Sequence, residues 1–320
     1  MSTVVEHRAP ALPTPSRWHR PLLGFALLMA ALSVVTLTLA VVDPRAVMGQ
    51  NAWFKPAKFA LSFVLYAVTM AWLVGLPGLR RPRLAATAGT VVVVGLVLEI
   101  LVIVYAAAAG TTSHFNVSTP LATALWSVMG VSIAVVWVMT LVVGVLVIRS
   151  PLPDRARALS IRAGVVLGLV GMALAFLMTS PTAQQLADFQ GVAGAHAVGV
   201  ADGGAGLPFL GWSTQGGDLR IGHFVGLHAL QLLPLGALLL EVLAGRIGTL
   251  RDGGVRLRLV GVATAGYAGL VALLTVQALL GQPLLRPSTA VLATAGGLVL
   301  AVALGVGLSV RGGLTPPRTS

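Results

Sequence analysis

Ionisable and amide side chains gather where one apolar segment of the sequence begins. Residues 217–234 read GDLRIGHFVGLHALQLLP and contain Asp218, Arg220, His223, His228 and Gln231. Polar groups are costly in lipid, so several at the start of one hydrophobic helix indicate a functional site. Imidazole and carboxylate groups bind metal ions or haem iron and transfer protons, and either chemistry fits these residues.

Two other segments carry the same kinds of side chain. Glu99 lies inside the apolar run 95–105, and His114 lies in the polar stretch 110–120. At ~1.5 Å per residue, Glu99 and His228 lie at similar depths in their helices, which predicts that they share a layer and can pair. We therefore expect a site for haem b or a divalent first-row metal. Its predicted ligands are His114, His223, His228 and Glu99.

The segment QNAWFKPAKF at 50–59 contains Lys55 and Lys58, the only lysines in a chain with nineteen arginines. A lysine at a helix N-terminus opposes the helix dipole, so an anion is expected nearby. The candidates are Asp218, the phosphate of a lipid headgroup, a haem propionate and an anionic small molecule. The alternative is a pair of lysines that reach the membrane interface beside a Trp anchor. The predicted substrate-binding residues are Lys55, Lys58, Trp53, Asn116, Asp218, Arg220 and Gln231.

The elements that must position these residues are transmembrane helices. The chain is 57% hydrophobic and 9% charged, and its mean hydropathy is +0.93. Such values are typical of multi-spanning membrane proteins that contact the lipid bilayer. We predict an all-α polytopic bundle of eight spans at 21–42, 58–76, 84–108, 121–148, 161–178, 221–243, 259–280 and 289–310.

The distribution of positive charge predicts the orientation. Sixteen of the 21 basic residues fall on alternate connections and on both tails, which places both termini in the cytoplasm. This topology explains the net charge of +12, so nucleic-acid binding is not expected. The predicted domains are a disordered tail at 1–20, one transmembrane domain at 21–310 and a cytoplasmic tail at 311–320 of a multi-pass protein of the cell membrane.

The connection at 180–220 is long and rich in glycine, which predicts either a lid or a disordered loop on the outer side. Spans two and six begin with similar patterns, Lys55-Pro-Ala-Lys58-Phe59 and Arg220-Ile-Gly-His223-Phe224, as a repeat of four helices would give. Chance is the other explanation. Glycines four apart in spans five and six, at 164 and 168 and at 222 and 226, favour close helix packing.

Four functions fit these observations. The first is the cofactor-binding protein, and the second is a proton-coupled transporter or permease that uses Glu99 and His228. The third is a lipid-modifying membrane enzyme with a histidine base, and the fourth is a structural subunit. The chain has no cysteine, which excludes disulfides and thiolate sites, and it lacks the common motifs of hydrolases and nucleotide-driven pumps.

Overall fold

A computed structural model describes residues 15–152 and 154–311. Eight of its helices are long and apolar enough to cross a membrane. They are α1 (Arg20–Val42), α2 (Phe54–Val74), α3 (Pro82–Ala108), α4 (Pro120–Ile148), α5 (Arg155–Leu174), α7 (Leu219–Leu243), α8 (Gly253–Leu279) and α9 (Thr289–Arg311). A short helix, α6 (Ala183–Ala187), lies in the connection between α5 and α7. The protein is thus an all-α multi-pass membrane bundle, and the prediction of the fold is confirmed.

The helix boundaries follow local sequence signals. Proline occupies the first turn of α1, α3 and α4, where its missing N–H costs nothing. Thr119, Asp154, Asp218 and Asp252 cap the starts of α4, α5, α7 and α8 by accepting a bond from a backbone N–H. These caps explain why α5 and α8 begin about six residues before their apolar runs.

We call the end of the bundle that carries the few outer basic residues the outer end. There, β1 (Ala46–Val47) pairs antiparallel with β2 (Gln50–Asn51), and β3 (Ala197–Val198) pairs with β4 (Gly217–Asp218). We call residues 179–218 the outer loop. The loop is folded, because β3 and β4 pair within it and a capping box starts α6 at Thr182 and Gln185. Most of the predicted N-terminal tail and nearly all of the C-terminal tail fall outside the described residues.

The helices pack in a similar pattern in the two halves of the chain. In the first half α1 packs on α2 and α3, α2 on α3, and α3 on α4. In the second half α5 packs on α7 and α8, α7 on α8, and α8 on α9. A four-helix repeat would produce this correspondence, and the repeat itself stays a prediction.

Glycine brings α5 and α7 into close contact. A Cβ on Gly171 would lie 2.1 Å from the backbone nitrogen of Leu227, and a Cβ on Gly226 would lie 2.6 Å from the Cα of Gly171. Gly164 and Gly168 lie along the same contact, against Ala229 and Leu230. The close packing predicted from the glycine spacing is present, and it fixes the helix that carries His223 and His228.

The inner half of the bundle is a continuous apolar core. Leu22 and Met29 of α1, Met70 of α2, Val92 of α3 and Val143 of α4 are almost completely buried in it. α8 and α9 lie at the periphery and expose long apolar side chains, as a surface against lipid requires. The polar groups with possible chemistry lie in the outer half.

Candidate functional site

A cavity of about 1880 Å³ extends from beneath the outer loop toward the middle of α2, α3 and α4. Side chains of α2, α3, α4, α5, α7 and the outer loop line it. It exceeds the ~300–1,000 Å³ of a common small-molecule site, so it suits a large or elongated ligand. The outer part of the lining is polar and the inner part is apolar.

Glu99, His114 and Ser113 form a chain of contacts in the polar part. His114 Nε2 lies 3.7 Å from Glu99 Oε1, within ion-pair range, and His114 Nδ1 lies 3.0 Å from Ser113 Oγ. Glu99 and Ser113 are buried, and Glu99 Oε2 has no hydrogen-bond partner in the described part of the chain. Burial, together with the nearby positive charge of Lys55, holds the pKa of His114 well below its ordinary value, so the ring is neutral.

Aromatic rings hold His114 in place. Phe59 and Trp126 lie with ring centroids 5.6 and 5.5 Å from the imidazole. Phe115 has a positive φ of 63°, which is uncommon for a bulky residue, and its ring contacts both His114 and His196. The backbone is therefore strained beside His114, as it often is at functional sites.

His196 and Asp202 of the outer loop form a second pair. Asp202 Oδ2 lies 2.7 Å from His196 Nδ1, and the carboxylate also accepts the backbone N–H groups of His196 and Ala197. Burial works against ionisation of Asp202, but these bonds outweigh it and lower its pKa to about 2. Burial also lowers the pKa of His196, although the bond to Asp202 opposes this. The pair fixes the ring, as a carboxylate does for a ligand or base histidine.

Three cations line the polar part, and they differ in their partners. Arg220 forms a bidentate ion pair with Asp218, with distances of 2.9 and 2.5 Å, and donates to the Gly211 carbonyl. Lys58 donates to the Leu210 carbonyl at 2.8 Å. Among the described residues, the ammonium group of Lys55 has neither a hydrogen bond nor an ion pair.

The two histidines of α7 also line the cavity. His223 Nδ1 lies 2.8 Å from the Gly171 carbonyl, which fixes its proton on Nδ1 and leaves Nε2 as an acceptor. His228 Nδ1 lies 3.4 Å from Gln231 Oε1, because residues three apart lie on the same face of a helix. Phe224 lies between the two imidazoles, with centroids 5.6 and 6.3 Å away.

The inner part of the cavity is lined by Phe63, Leu96, Ile133, Val136 and Trp137, and Tyr66 lies at similar depth. Tyr66 Oη and Thr140 Oγ1 are 2.5 Å apart, so both hydroxyls are satisfied. The cavity therefore combines a polar outer end with an apolar inner end.

Seven of the predicted site residues line this cavity: Lys55, Lys58, Glu99, His114, Arg220, His223 and His228. The lining does not include Trp53, Asn116, Asp218 or Gln231. Trp53 is buried and donates to Asp43, Asn116 closes its own loop by bonds to Thr111 and Ser118, and Asp218 holds Arg220. The expected pairing of Glu99 with His228 is not what the structure shows, because the loop after α3 folds back and brings His114 to Glu99.

No group of three or more His, Asp or Glu side chains in the described ranges is arranged to hold a metal ion. The four predicted metal ligands share the cavity without forming such a cluster. Unlike a metal ion, haem b does not require a cluster of three ligands, because one or two imidazole ligands to the iron and cations for its propionates suffice to bind it.

Sequence reasoning missed three residues of the site. Ser113 was included only in a polar stretch, and His196 and Asp202 were included only in a long loop. The one available signal was the spacing of an imidazole and a carboxylate six residues apart between glycines, in HAVGVAD at 196–202.

Comparisons of the chain with protein-family models, with characterised proteins and with solved structures gave no match.

Proposed function

We propose that this protein binds an anionic amphiphile in the cavity at the outer end of the bundle. The ligand's charged head lies at Lys55 and Lys58, and its apolar part extends inward toward Tyr66 and Trp137. The observation that carries the proposal is the ammonium group of Lys55, which lines the cavity and has no hydrogen bond or ion pair among the described residues.

An unpaired ammonium in a partly enclosed site is costly, and an anion that reaches it removes that cost. Arg220 cannot serve equally, because Asp218 already neutralises it. Lys58 is held by a carbonyl and lies close enough to Lys55 for their charges to repel. Glu99 acts on Lys55 and Asp218 acts on Lys58 through their charges, but neither carboxylate forms an ion pair with a lysine. The head of the ligand therefore meets two ammonium groups that have no ion-pair partner among the described residues, which favours a carboxylate or another compact anion.

The apolar end of the cavity supports a long hydrocarbon chain rather than a small solute. From Lys55 to Tyr66 the lining spans ~16 Å along α2. The lining also includes Leu61, Leu65 and Val131, which are 42%, 51% and 66% exposed on the surface of the bundle. A ligand dissolved in the bilayer can therefore enter from the side, through the wall of the cavity.

The test compares a polyene fatty acid, cis-parinaric acid, with the corresponding alcohol. The purified protein is placed in nanodiscs, and binding is followed by fluorescence. We expect the carboxylate to bind about 10- to 100-fold more tightly than the alcohol, since a bond to a charged group contributes ~1.5–3 kcal/mol. In Lys55→Met this preference should disappear.

The matched control is Arg286→Met. Arg286 is an exposed cation of the same end of the bundle, and the lining does not include it. Equal affinity of the native protein for acid and alcohol, or a loss of preference in both variants, would contradict the proposal.

Haem b is a second candidate, and the observation that favours it is the geometry of His223. Its Nδ1 is engaged by the Gly171 carbonyl, so Nε2 would be the atom that ligates the haem iron, and Lys55 and Lys58 would hold the propionates. Bound haem would supply electron-transfer chemistry at this end of the bundle. A Soret band in gently purified protein that is lost in His223→Ala and kept in His19→Ala would support it. A folded sample without a Soret band would refute the haem b candidate.

The other predicted functions have less support. The lining contains no residue from the inner half of α5, α7 or α8, and that half is packed with apolar side chains. Among the described residues, no observation supports a pathway by which a solute could cross the bundle, as a transporter would need. Residence in the cell membrane stays a prediction from the charge bias.

A further inference from the structure

We infer that the cavity is also a catalytic site, in which Ser113 is the nucleophile of an ester hydrolase, His114 is its base and Glu99 positions that base. This inference rests on the proposed function, because the ester must occupy the same cavity as the anionic amphiphile. Nothing in the proposed function requires Ser113.

The geometry has the order that an activated serine needs. Ser113 Oγ is 3.0 Å from His114 Nδ1, and the other ring nitrogen faces Glu99 Oε1 at 3.7 Å. A nucleophile within hydrogen-bond reach of a base, with a third group orienting that base, is the general signature of nucleophilic catalysis. The distance of 3.7 Å between His114 Nε2 and Glu99 Oε1 is long for a hydrogen bond, but catalytic hydrogen bonds are often long in the absence of substrate and shorten when it binds.

The surroundings fit the same chemistry. All three side chains line the cavity, and Ser113 and Glu99 are only 6% and 2% exposed, so substrate and water reach them through the cavity. The strained backbone at Phe115 follows directly and turns the chain so that both Ser113 and His114 reach the lining. Strained turns carry the nucleophile in other serine hydrolases.

The reaction balances with water as the second substrate. Ser113 Oγ attacks the ester carbonyl carbon while its proton passes to His114 Nδ1, and Lys55 offers positive charge to the carbonyl oxygen as it becomes negative. The C–O bond then breaks, and His114 returns the proton to the departing alcohol. Water, deprotonated by His114, then attacks the acyl carbonyl carbon, and His114 gives that proton to Ser113 Oγ as the bond between the acyl group and the serine breaks. The products are an alcohol and a carboxylic acid, and no electrons are exchanged.

The substrate class follows from the two ends of the cavity. The ester carbonyl lies at the polar end, and a long acyl chain occupies the apolar end beside Val136 and Trp137. The carboxylate that is released is then the anionic amphiphile of the proposed function, and Lys55 is its partner. We therefore expect long-chain acyl esters to be cleaved in preference to short ones.

The first test is covalent labelling. The full chain in nanodiscs is treated with an alkyl fluorophosphonate, and the modified residue is found by mass spectrometry. We expect label on Ser113, none in Ser113→Ala, and unchanged labelling in Ser118→Ala, since Ser118 lies in the same loop but outside the lining. Label on another serine, or no label on the native chain, would overturn the inference.

The second test is turnover of p-nitrophenyl esters of increasing acyl length. His114→Gln should lower kcat by roughly 10²–10⁴-fold, the usual effect of losing an acid–base group. Glu99→Gln should lower kcat and leave KM within about twofold, as a positioning residue does. A uniform loss of affinity in both variants would instead indicate structural roles and refute the assignment.

Failure of the inference is distinguishable from failure of the proposed function. If Ser113→Ala binds cis-parinaric acid normally but the native chain neither labels nor turns over esters, binding stands and hydrolysis is refuted. Because the chain has no cysteine, Ser113→Cys adds a single thiol. That thiol should react with a maleimide, and the reaction should be blocked by cis-parinaric acid. A folded variant whose thiol does not react would refute access to Ser113.

Discussion

Replacing Asp202 by Asn tests whether the outer loop is held closed by the bond to His196. The pKa of Asp202 is lowered from its usual 3.8 to about 2 by bonds from His196 and Ala197, although burial opposes that change. The difference corresponds to about 2 kcal/mol of stabilisation of the folded loop by the ionised carboxylate. Only 17% of its side chain is exposed, so solvent screening is limited.

The direction of the pH dependence follows from the lowered pKa. The stabilisation is fully present above about pH 4, where the carboxylate is ionised in the open loop as well, and it is lost as the pH falls through about 2. At pH 7, the substitution Asp202→Asn removes this whole stabilisation of the folded loop, because the amide carries no charge. The backbone amides of His196 and Ala197, which donate to Asp202, should then exchange hydrogen about 30-fold faster.

The assay is hydrogen–deuterium exchange of the protein in nanodiscs, read at residues 190–200. Asp188→Asn is the matched control, because Asp188 lies in the same loop and only accepts from the exposed Gln190. Unchanged exchange in Asp202→Asn, or an equal change in both variants, would refute the idea that this carboxylate closes the loop.

Two further predictions concern the bundle. Gly171→Ala places a methyl group 2.1 Å from the backbone nitrogen of Leu227, so α5 and α7 must separate and Tm should fall by several degrees. The control is Gly236→Ala. Its methyl group would meet no side chain or neighbouring helix of the described residues within 4 Å, so Tm should stay unchanged. Glu241→Leu removes the carboxylate that pairs with the partly buried Arg157 and should cost about 1.5–3 kcal/mol in unfolding assays. Adding Arg157→Leu should restore most of that stability. A single variant as stable as the native protein would contradict the second prediction.

The sequence predicted the fold well, because a transmembrane helix is specified by local composition. Every predicted span matches an observed helix, and the largest differences are the early starts of α5 and α8 just after the capping aspartates Asp154 and Asp252. Hydropathy alone cannot find those starts, since the capped turns are polar and lie outside the apolar run.

The site was predicted less completely, because its contacts join residues that are far apart in the chain. The number of residues from each helix end placed Glu99 and His228 at the same depth in the membrane. Depth alone does not show which helices face each other. The partner of Glu99 is His114, which reaches it because the chain reverses after α3. The outer loop lacks periodicity, so no local signal showed that His196 and Asp202 would meet.

The bundle contains a cavity in its outer half and is packed with apolar side chains in its inner half, and this difference decides where ions meet a barrier. In the part of the chain that the structure describes, residues such as Leu22, Met70, Val92 and Val143 fill the inner half with apolar side chains. Ions therefore meet the same low-dielectric barrier there as in the surrounding lipid. A ligand can thus occupy the outer half of the bundle without opening a polar path through the apolar half beneath it.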